Sequence, residues 1–541
     1  MSRLSGVDAS FLYLESADMP MHVAGLTLYE MPPGFKGSFY EHFKKFFAGR
    51  VHLIPIFNKK LAHAPLNLDH PGWVDEDNLD LDYHIQGVRL PAPGTRAQLD
   101  ALIAQMHAEL MDRTRPLWRF TVIEGLEDGK AALYSKVHHA AVDGSSGMII
   151  TRALYDLTPE PRVVEPPAPK APSQPAPAKD LASSLTDLMA GMIRQQQAAL
   201  RAMPEVLGAV VNAVAPPSDK NTPITELFPN IKLPKLHLIA PKTPFNTTVG
   251  KSRAYASRSI SLADAKKVAK VTDTKINDVV MAVSGGALRK YLAARKALPK
   301  STLLAFVPIS TREAGNTEIN NQVSGMICPI GTNEKDPLKR LVEIRSASSE
   351  AKEVASSVKS AVPQDFTFLG APTIINLMAS LGARFRIADW MVPVGNVTIS
   401  NNAGPPVSLY CAGARVAALY PVSIPGHGIA LNITVQSYCD QLDFGITADA
   451  KAAPDLEMLA DALVESMEEL KAAAAAKAAA SAPAAEAKPA AQGKTEPPPA
   501  VKAAPKPVVS PAVAKVAKAV KAAKSAKAAA GKPAARRGKA E

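Results

Sequence analysis

One stretch of seven residues constrains this chain more than any other: His138-His139-Ala140-Ala141-Val142-Asp143-Gly144. The apolar run Ala131 to Val137 before it reads as a buried strand. Trp118 to Ile123 and that run flank Glu127-Asp128-Gly129-Lys130, a hairpin signal with Asp-Gly in the turn. Beyond the motif, Ser145-Ser146 offers N-cap chemistry for a helix from Gly147 to Tyr155. The expected local structure is therefore a hairpin whose second strand delivers two imidazoles to a tight turn and a helix. A neutral histidine held this way can take a proton near pH 7. The competing reading is a pair of core histidines capping a turn. Adjacent histidines with an aspartate five positions after the first lack the ligand set of a closed zinc site.

The rest of the chain divides by pattern. Residues 1–157 read as a first mixed α and β lobe, with a capping box at Thr95 and Gln98. The helical stripe Leu99, Leu102, Ile103, Met106 and Leu110 follows it. Residues 158–240 form a connector. Thr158 to Asp180 holds eight prolines and reads as a semi-extended linker. Leu181 to Ala215 returns to helical spacing, split by Pro204; it fits either helices packed on the body or an amphipathic membrane contact. Residues 241–470 read as a second lobe. Helices start at Ser261 and at Asn277-Asp278, and a last one runs from Pro454 to about Leu470. Leu303–Ile309, Gln322–Ile330, Gly395–Ser400, Ala414–Pro421, Ile429–Gln436 and Leu442–Ala448 read as strands. Neither GxGxxG nor GxxxxGK[ST] occurs, which argues against nucleotide binding.

Charge separates the body from the tail. Residues 471–541 carry 15 Lys and Arg against 3 Glu, and the whole chain is +12, so residues 1–470 are neutral. The tail holds 30 Ala among its 71 residues, with Lys and Pro, and reads as disordered. Its basicity allows contact with anionic membranes or nucleic acid but says nothing about the body. Cys328, Cys411 and Cys439 show no ligand spacing and fit reduced thiols. The N-terminus lacks a signal-peptide apolar core, and no apolar run of about 18 residues occurs. A cytoplasmic location is expected.

HHxxxDG resembles the active-site motif of the CoA-dependent acyltransferase superfamily, which includes chloramphenicol acetyltransferases and condensation domains. Further segments resemble the bacterial wax ester synthase/diacylglycerol acyltransferase family. They are Leu4 to Leu12 with Pro20-Met21-His22-Val23, the PLW-like Pro116-Leu117-Trp118, the ND-like Asn277-Asp278-Val279-Val280, and Ser400-Asn401-Asn402-Ala403-Gly404-Pro405. The resemblance covers residues 1–158 and 240–470. It implies an α/β, two-lobed, chloramphenicol-acetyltransferase-like fold with mixed sheets. It also implies transfer of a fatty acyl group from acyl-CoA, as substrate and without a further cofactor, to diacylglycerol or a long-chain alcohol. By the same resemblance His139 is the general base, and His138 is turned away from substrate. Asp143 pairs with an arginine to hold the loop, for which Arg312 is favoured over Arg119. Gly144 lets the backbone turn closely, and Asn277 donates towards the oxyanion, holds the loop or caps its helix. The lipid substrates that the resemblance implies also place the protein peripherally on the inner membrane or lipid bodies. His22 and His427 carry no assigned role. A same-fold enzyme with another acceptor, and a lipid-granule or nucleic-acid binder acting through the tail, are the alternatives.

Overall fold

The computed structural model describes residues 2–63, 70–142, 144–166, 239–310, 323–358 and 371–481. In chain order the strands are β1 (Ser2–Arg3), β2 (His22–Glu30), β3 (Lys59–Ala62), β4 (Gly72–Asp75), β5 (Ile85–Arg89), β6 (Trp118–Glu124), β7 (Ala131–His138), β8 (Arg253–Ser261), β9 (Leu304–Ser310), β10 (Val323–Pro329), β11 (Val397–Asn402), β12 (Tyr410–Cys411), β13 (Ala414–Val422), β14 (Leu431–Tyr438) and β15 (Gln441–Asp449). The helices are α1 (Gly6–Leu14), α2 (Phe39–Ala48), α3 (Leu81–His84), α4 (Arg96–Ala108), α5 (Gly144–Leu154), α6 (Leu262–Thr272), α7 (Ile276–Ala294), α8 (Pro337–Val358), α9 (Ala371–Arg384) and α10 (Leu456–Ser481).

Two six-stranded mixed sheets organise the body, ordered β12-β13-β2-β7-β6-β5 and β10-β9-β11-β14-β15-β8. The hairpin of β6 and β7 forms as its sequence pattern requires, with Trp118 opposite Val137. Strand β2 then pairs with β7 and sets His22 opposite His138. An aromatic cluster of Phe43, Phe47, Phe57, Trp118 and Phe120 packs on one face of this sheet. The second sheet buries its face beneath α7, whose central residues Val279 to Leu288 are all buried. This explains why α7 is apolar nearly all round.

Several expectations shift in the structure. The second half of the chain does not keep its strands to itself: β12 and β13 leave the second sheet and join the first, where β13 pairs with β2. An alternating strand pattern records which face is buried, not which neighbour the strand pairs with. The crossing follows Ser400 to Pro405. A Cβ on Gly404 would sit 2.0 Å from the Ser437 carbonyl oxygen, so only glycine permits this approach. The helix after the histidines begins at Gly144, not behind a cap at Ser145-Ser146. Helix α4 has the capping box at Thr95 and Gln98 but stops at Ala108, leaving Leu110 46% exposed. The basic segment from Lys471 is helical as far as Ser481, because Ala474 still packs into the core and Lys471 bonds Glu468. The remaining tail, the Leu181–Ala215 segment and most of the proline-rich linker lie outside the described residues.

Candidate active site

The two adjacent histidines occupy opposite environments because the strand ends between them. His138 closes β7 and is fully buried. Its backbone N–H donates to the Leu117 carbonyl at 3.0 Å, so the PLW-like segment clamps the strand end. Its Nδ1 accepts from the Ala140 N–H at 3.1 Å. The neutral tautomer therefore carries its proton on Nε2, which stands 3.2 Å from Glu15 Oε1. One ring nitrogen is hydrogen-bonded and the other lies in close contact with a buried carboxylate, so His138 is a framework residue. His139 starts a single 3-10 turn, His139–Ala141, and is half-buried. Its backbone N–H donates to the Met21 carbonyl at 2.9 Å. Its ring stacks on Phe11 of α1, with centroids 3.9 Å apart and planes inclined by 14°. One face of the imidazole is thereby covered by an apolar ring, and the accessible part of the residue is held in a single direction.

The group that ties these pieces together is Glu15, just past α1, which sequence reasoning missed. Its Oε2 accepts from Arg113 Nε at 2.9 Å and Nη2 at 2.6 Å, and its Oε1 accepts from the Met21 N–H at 3.1 Å. Arg113 also donates to the Leu12 carbonyl at 2.7 Å, locking the end of α1 that carries Phe11. Burial pushes the Glu15 carboxyl up. The hydrogen bond and charge of His138, the Arg113 guanidinium and the Met21 N–H outweigh it and hold the group at about 2. One carboxylate thus fixes His138 directly and His139 through Met21. A lone glutamate after an amphipathic helix carries no sequence signal for such a role.

A second buried polar group lies behind the strand pair. His22 Nε2 donates to the His107 carbonyl at 2.9 Å, and His107 accepts from the Tyr134 hydroxyl at 2.8 Å while donating to the Ser423 carbonyl at 3.0 Å. Burial pushes His107 down to about 3 and His22 well below the ordinary histidine range. Both are neutral structural groups at physiological pH. Lys136 donates to the Met106 and Glu109 carbonyls, and burial pushes its amine down to about 8. His427 accepts from the Val249 N–H at 3.2 Å.

Of the other residues singled out by sequence, Asp143 and Arg312 lie outside the described residues. Arg119 faces Lys136 in the hairpin register, and its guanidinium meets Gln86 at 2.5 Å and the Tyr83 ring. Asn277 is the second residue of α7 rather than its cap. The carboxylate of Asp278 does the capping, accepting from the Lys275 N–H at 2.9 Å and from Ser348. Among the described residues no hydrogen bond joins Asn277 to either histidine. A cavity of about 850 Å³ opens between α4 and β8, lined by Ala101, Ala104, Ala108, Arg253 and Tyr255. Its volume suits a sizeable ligand, but His139 does not line it.

The segments that meet at the histidine pair, residues 4–12, 20–23 and 116–118, come from widely separated parts of one sequence pattern. That pattern has known counterparts. The profile of the wax ester synthase/diacylglycerol acyltransferase catalytic domain matches residues 4–280, and that of the WS/DGAT C-terminal domain matches residues 319–471. The chain belongs to the wax ester synthase/diacylglycerol acyltransferase family. A Mycobacterium tuberculosis relative, named a probable diacylglycerol O-acyltransferase, is 34% identical over 472 residues, 86% of this chain and 98% of its own. A second from the same organism is 33% identical over 483 residues, 87% of this chain and 91% of its own. Among solved structures, the wax ester synthase/diacylglycerol acyltransferase from Marinobacter aquaeolei is similar at a TM-score of 0.63 and 29% identity, covering 88% of this chain and 100% of that one. The WS/DGAT motifs therefore divide by task. The N-terminal and PLW segments build the frame around HHxxxDG, and the Ser400–Pro405 segment carries the chain from one sheet to the other. As a member of this family the protein is an acyltransferase.

Proposed function

We propose that this WS/DGAT protein moves a fatty acyl group from acyl-CoA to diacylglycerol, giving triacylglycerol, or to a long-chain alcohol, giving a wax ester, with His139 as general base. The carrying observation is the asymmetry of the histidine pair: His138 is fully buried between the Ala140 N–H and the Glu15 carboxylate, while His139 is half-buried and stacked on Phe11. In the reaction His139 takes the acceptor's hydroxyl proton as that oxygen attacks the thioester carbonyl. The tetrahedral oxyanion then collapses, the C–S bond breaks, and the thiolate of CoA receives the proton back from His139. General base catalysis is worth ~10²–10⁴-fold, so positioning must supply much of the remainder. Asp143 is assigned to holding the loop, with Arg312 as its partner. Asn277, near the start of α7, is assigned to support of the oxyanion side. Because the acceptor is insoluble in water, the enzyme works at a membrane or lipid-body surface. No helix among the described residues is long and apolar enough to cross a membrane, which fits peripheral attachment.

Release of free thiol from palmitoyl-CoA, measured with dioleoylglycerol and with hexadecanol, tests this reading. Thiol release that depends on either acceptor and disappears in His139→Ala supports it. Release that requires neither acceptor, or that survives in His139→Ala, overturns it.

A further inference from the structure

The segment that follows α9 is built unlike the rest of the surface. Phe385, Trp390, Met391 and Val392 are 65%, 85%, 58% and 62% exposed, and the neighbouring Ile239 is 73% exposed. Such a contiguous run of large apolar side chains in water marks an interaction surface rather than ordinary surface scatter. The loop is not loosely attached. Asp389 turns inward, accepting from the Thr248 N–H at 2.6 Å, the Thr247 hydroxyl at 3.1 Å and Arg386 Nε at 2.6 Å. Lys242 donates to the Asp389 carbonyl at 2.5 Å, and the Ala240 N–H to the Pro393 carbonyl at 2.9 Å. Arg386 takes the left-handed conformation, φ 51°, that bends the chain at the foot of the loop. A fixed polar base thus presents the apolar side chains outward.

We propose that this loop, residues 385–394, is a docking surface for the anionic face of a lipid bilayer. The proposal rests on the lipid acceptor inferred above. Three observations select lipid as the occupant. The exposed charges at the foot of the loop, Lys242, Arg384 and Arg386, are all cations, and the one carboxylate, Asp389, is turned into the base. Cations below an apolar tip complement anionic headgroups around a hydrocarbon interior. A two-fold contact between copies would instead bring these cations face to face. The side chain at the tip is a tryptophan, whose amphipathic ring favours the headgroup boundary. Helix α9, which leads into the loop, packs on α1, and α1 carries the Phe11 that stacks on His139. The docking surface and the catalytic base therefore share one scaffold.

Tryptophan fluorescence tests this on the full chain, because the two other tryptophans, Trp73 and Trp118, are buried. Equimolar phosphatidylcholine–phosphatidylglycerol vesicles should shift the emission of Trp390 to shorter wavelength, and brominated acyl chains should quench it. The combined substitutions Trp390→Ser, Met391→Ser and Val392→Ser should weaken vesicle partitioning about tenfold or more, as expected for losing side chains of this size from an apolar phase. An unchanged melting temperature would show that the variant still folds. Vesicle binding with Trp390 still in water would place attachment elsewhere, such as the basic tail, and overturn the proposal. Loss of self-association in the variant, with no lipid quenching in the wild type, would overturn it in favour of a contact between copies. Thiol release with a water-soluble alcohol reads the chemistry separately. Absence of release with every acceptor, detergent-dispersed dioleoylglycerol and hexadecanol included, sinks the reaction proposed above, and an unquenched Trp390 sinks the docking surface alone.

Discussion

Glu15→Gln perturbs the frame of the active site without touching a reacting atom. The wild-type carboxyl is held at about 2 in the folded protein against an ordinary value of 4.5, which corresponds to about 3 kcal/mol of folding stability at neutral pH. Breaking a buried pair independently suggests ~3–5 kcal/mol. Arg113 is 32% exposed, so water recovers part of its solvation and the loss should fall nearer about 2–3 kcal/mol. The depressed carboxyl stabilises fully above the unfolded value, and this stabilisation drains away as pH falls through 4.5 towards 2. By pH 3.5 roughly 1.4 kcal/mol of the contribution is gone. Paired thermal melts of wild type and variant at pH 7 and pH 3.5 should show a gap that narrows on acidification. The same change loosens Met21 and His138, so kcat should fall by up to ~10²-fold with KM less affected, as a small misplacement of the base would produce. A gap that stays constant with pH, or a variant with wild-type melting temperature at pH 7, would refute the reasoning.

His139→Ala should lower thiol release by at least ~10²-fold while retaining the wild-type melting profile. His138→Ala should lower melting temperature as well, since it strands a buried Glu15 oxygen and the Ala140 N–H. Thermal melts and acyl-transfer rates measured side by side on the two variants separate these roles. Gly445→Ala should destabilise severely or prevent folding, because its Cβ would lie 1.7 Å from the Pro421 carbonyl oxygen; expression yield and melting temperature report it. Truncation after Ser481 removes most of the excess positive charge and should weaken sedimentation with anionic vesicles in a salt-sensitive way. The same truncation should leave acyl transfer to a dispersed acceptor unchanged.

Sequence alone determined the local events around the catalytic motif. The hairpin of β6 and β7, the capping box of α4, the starts of α6 and α7, and the strands of the second sheet other than β8 follow from short-range patterns of apolar spacing, turn residues and caps. The HHxxxDG stretch and the segments that accompany it were enough to point to the family. Tertiary structure decided which strands share a sheet. The crossing of β13 to pair with β2 depends on residues about 390 positions apart, and neither strand records its partner. It also decided the environment of each histidine. His138 and His139 are identical in chemistry and adjacent in the chain. The end of the strand turns one inward to Glu15 and leaves the other on the face of Phe11. Glu15, Arg113 and Met21 become a site only when α1, the segment after α4 and the end of β7 are brought together. Local spacing encodes which residues form an element, but the energy of a buried charge depends on neighbours that only folding supplies.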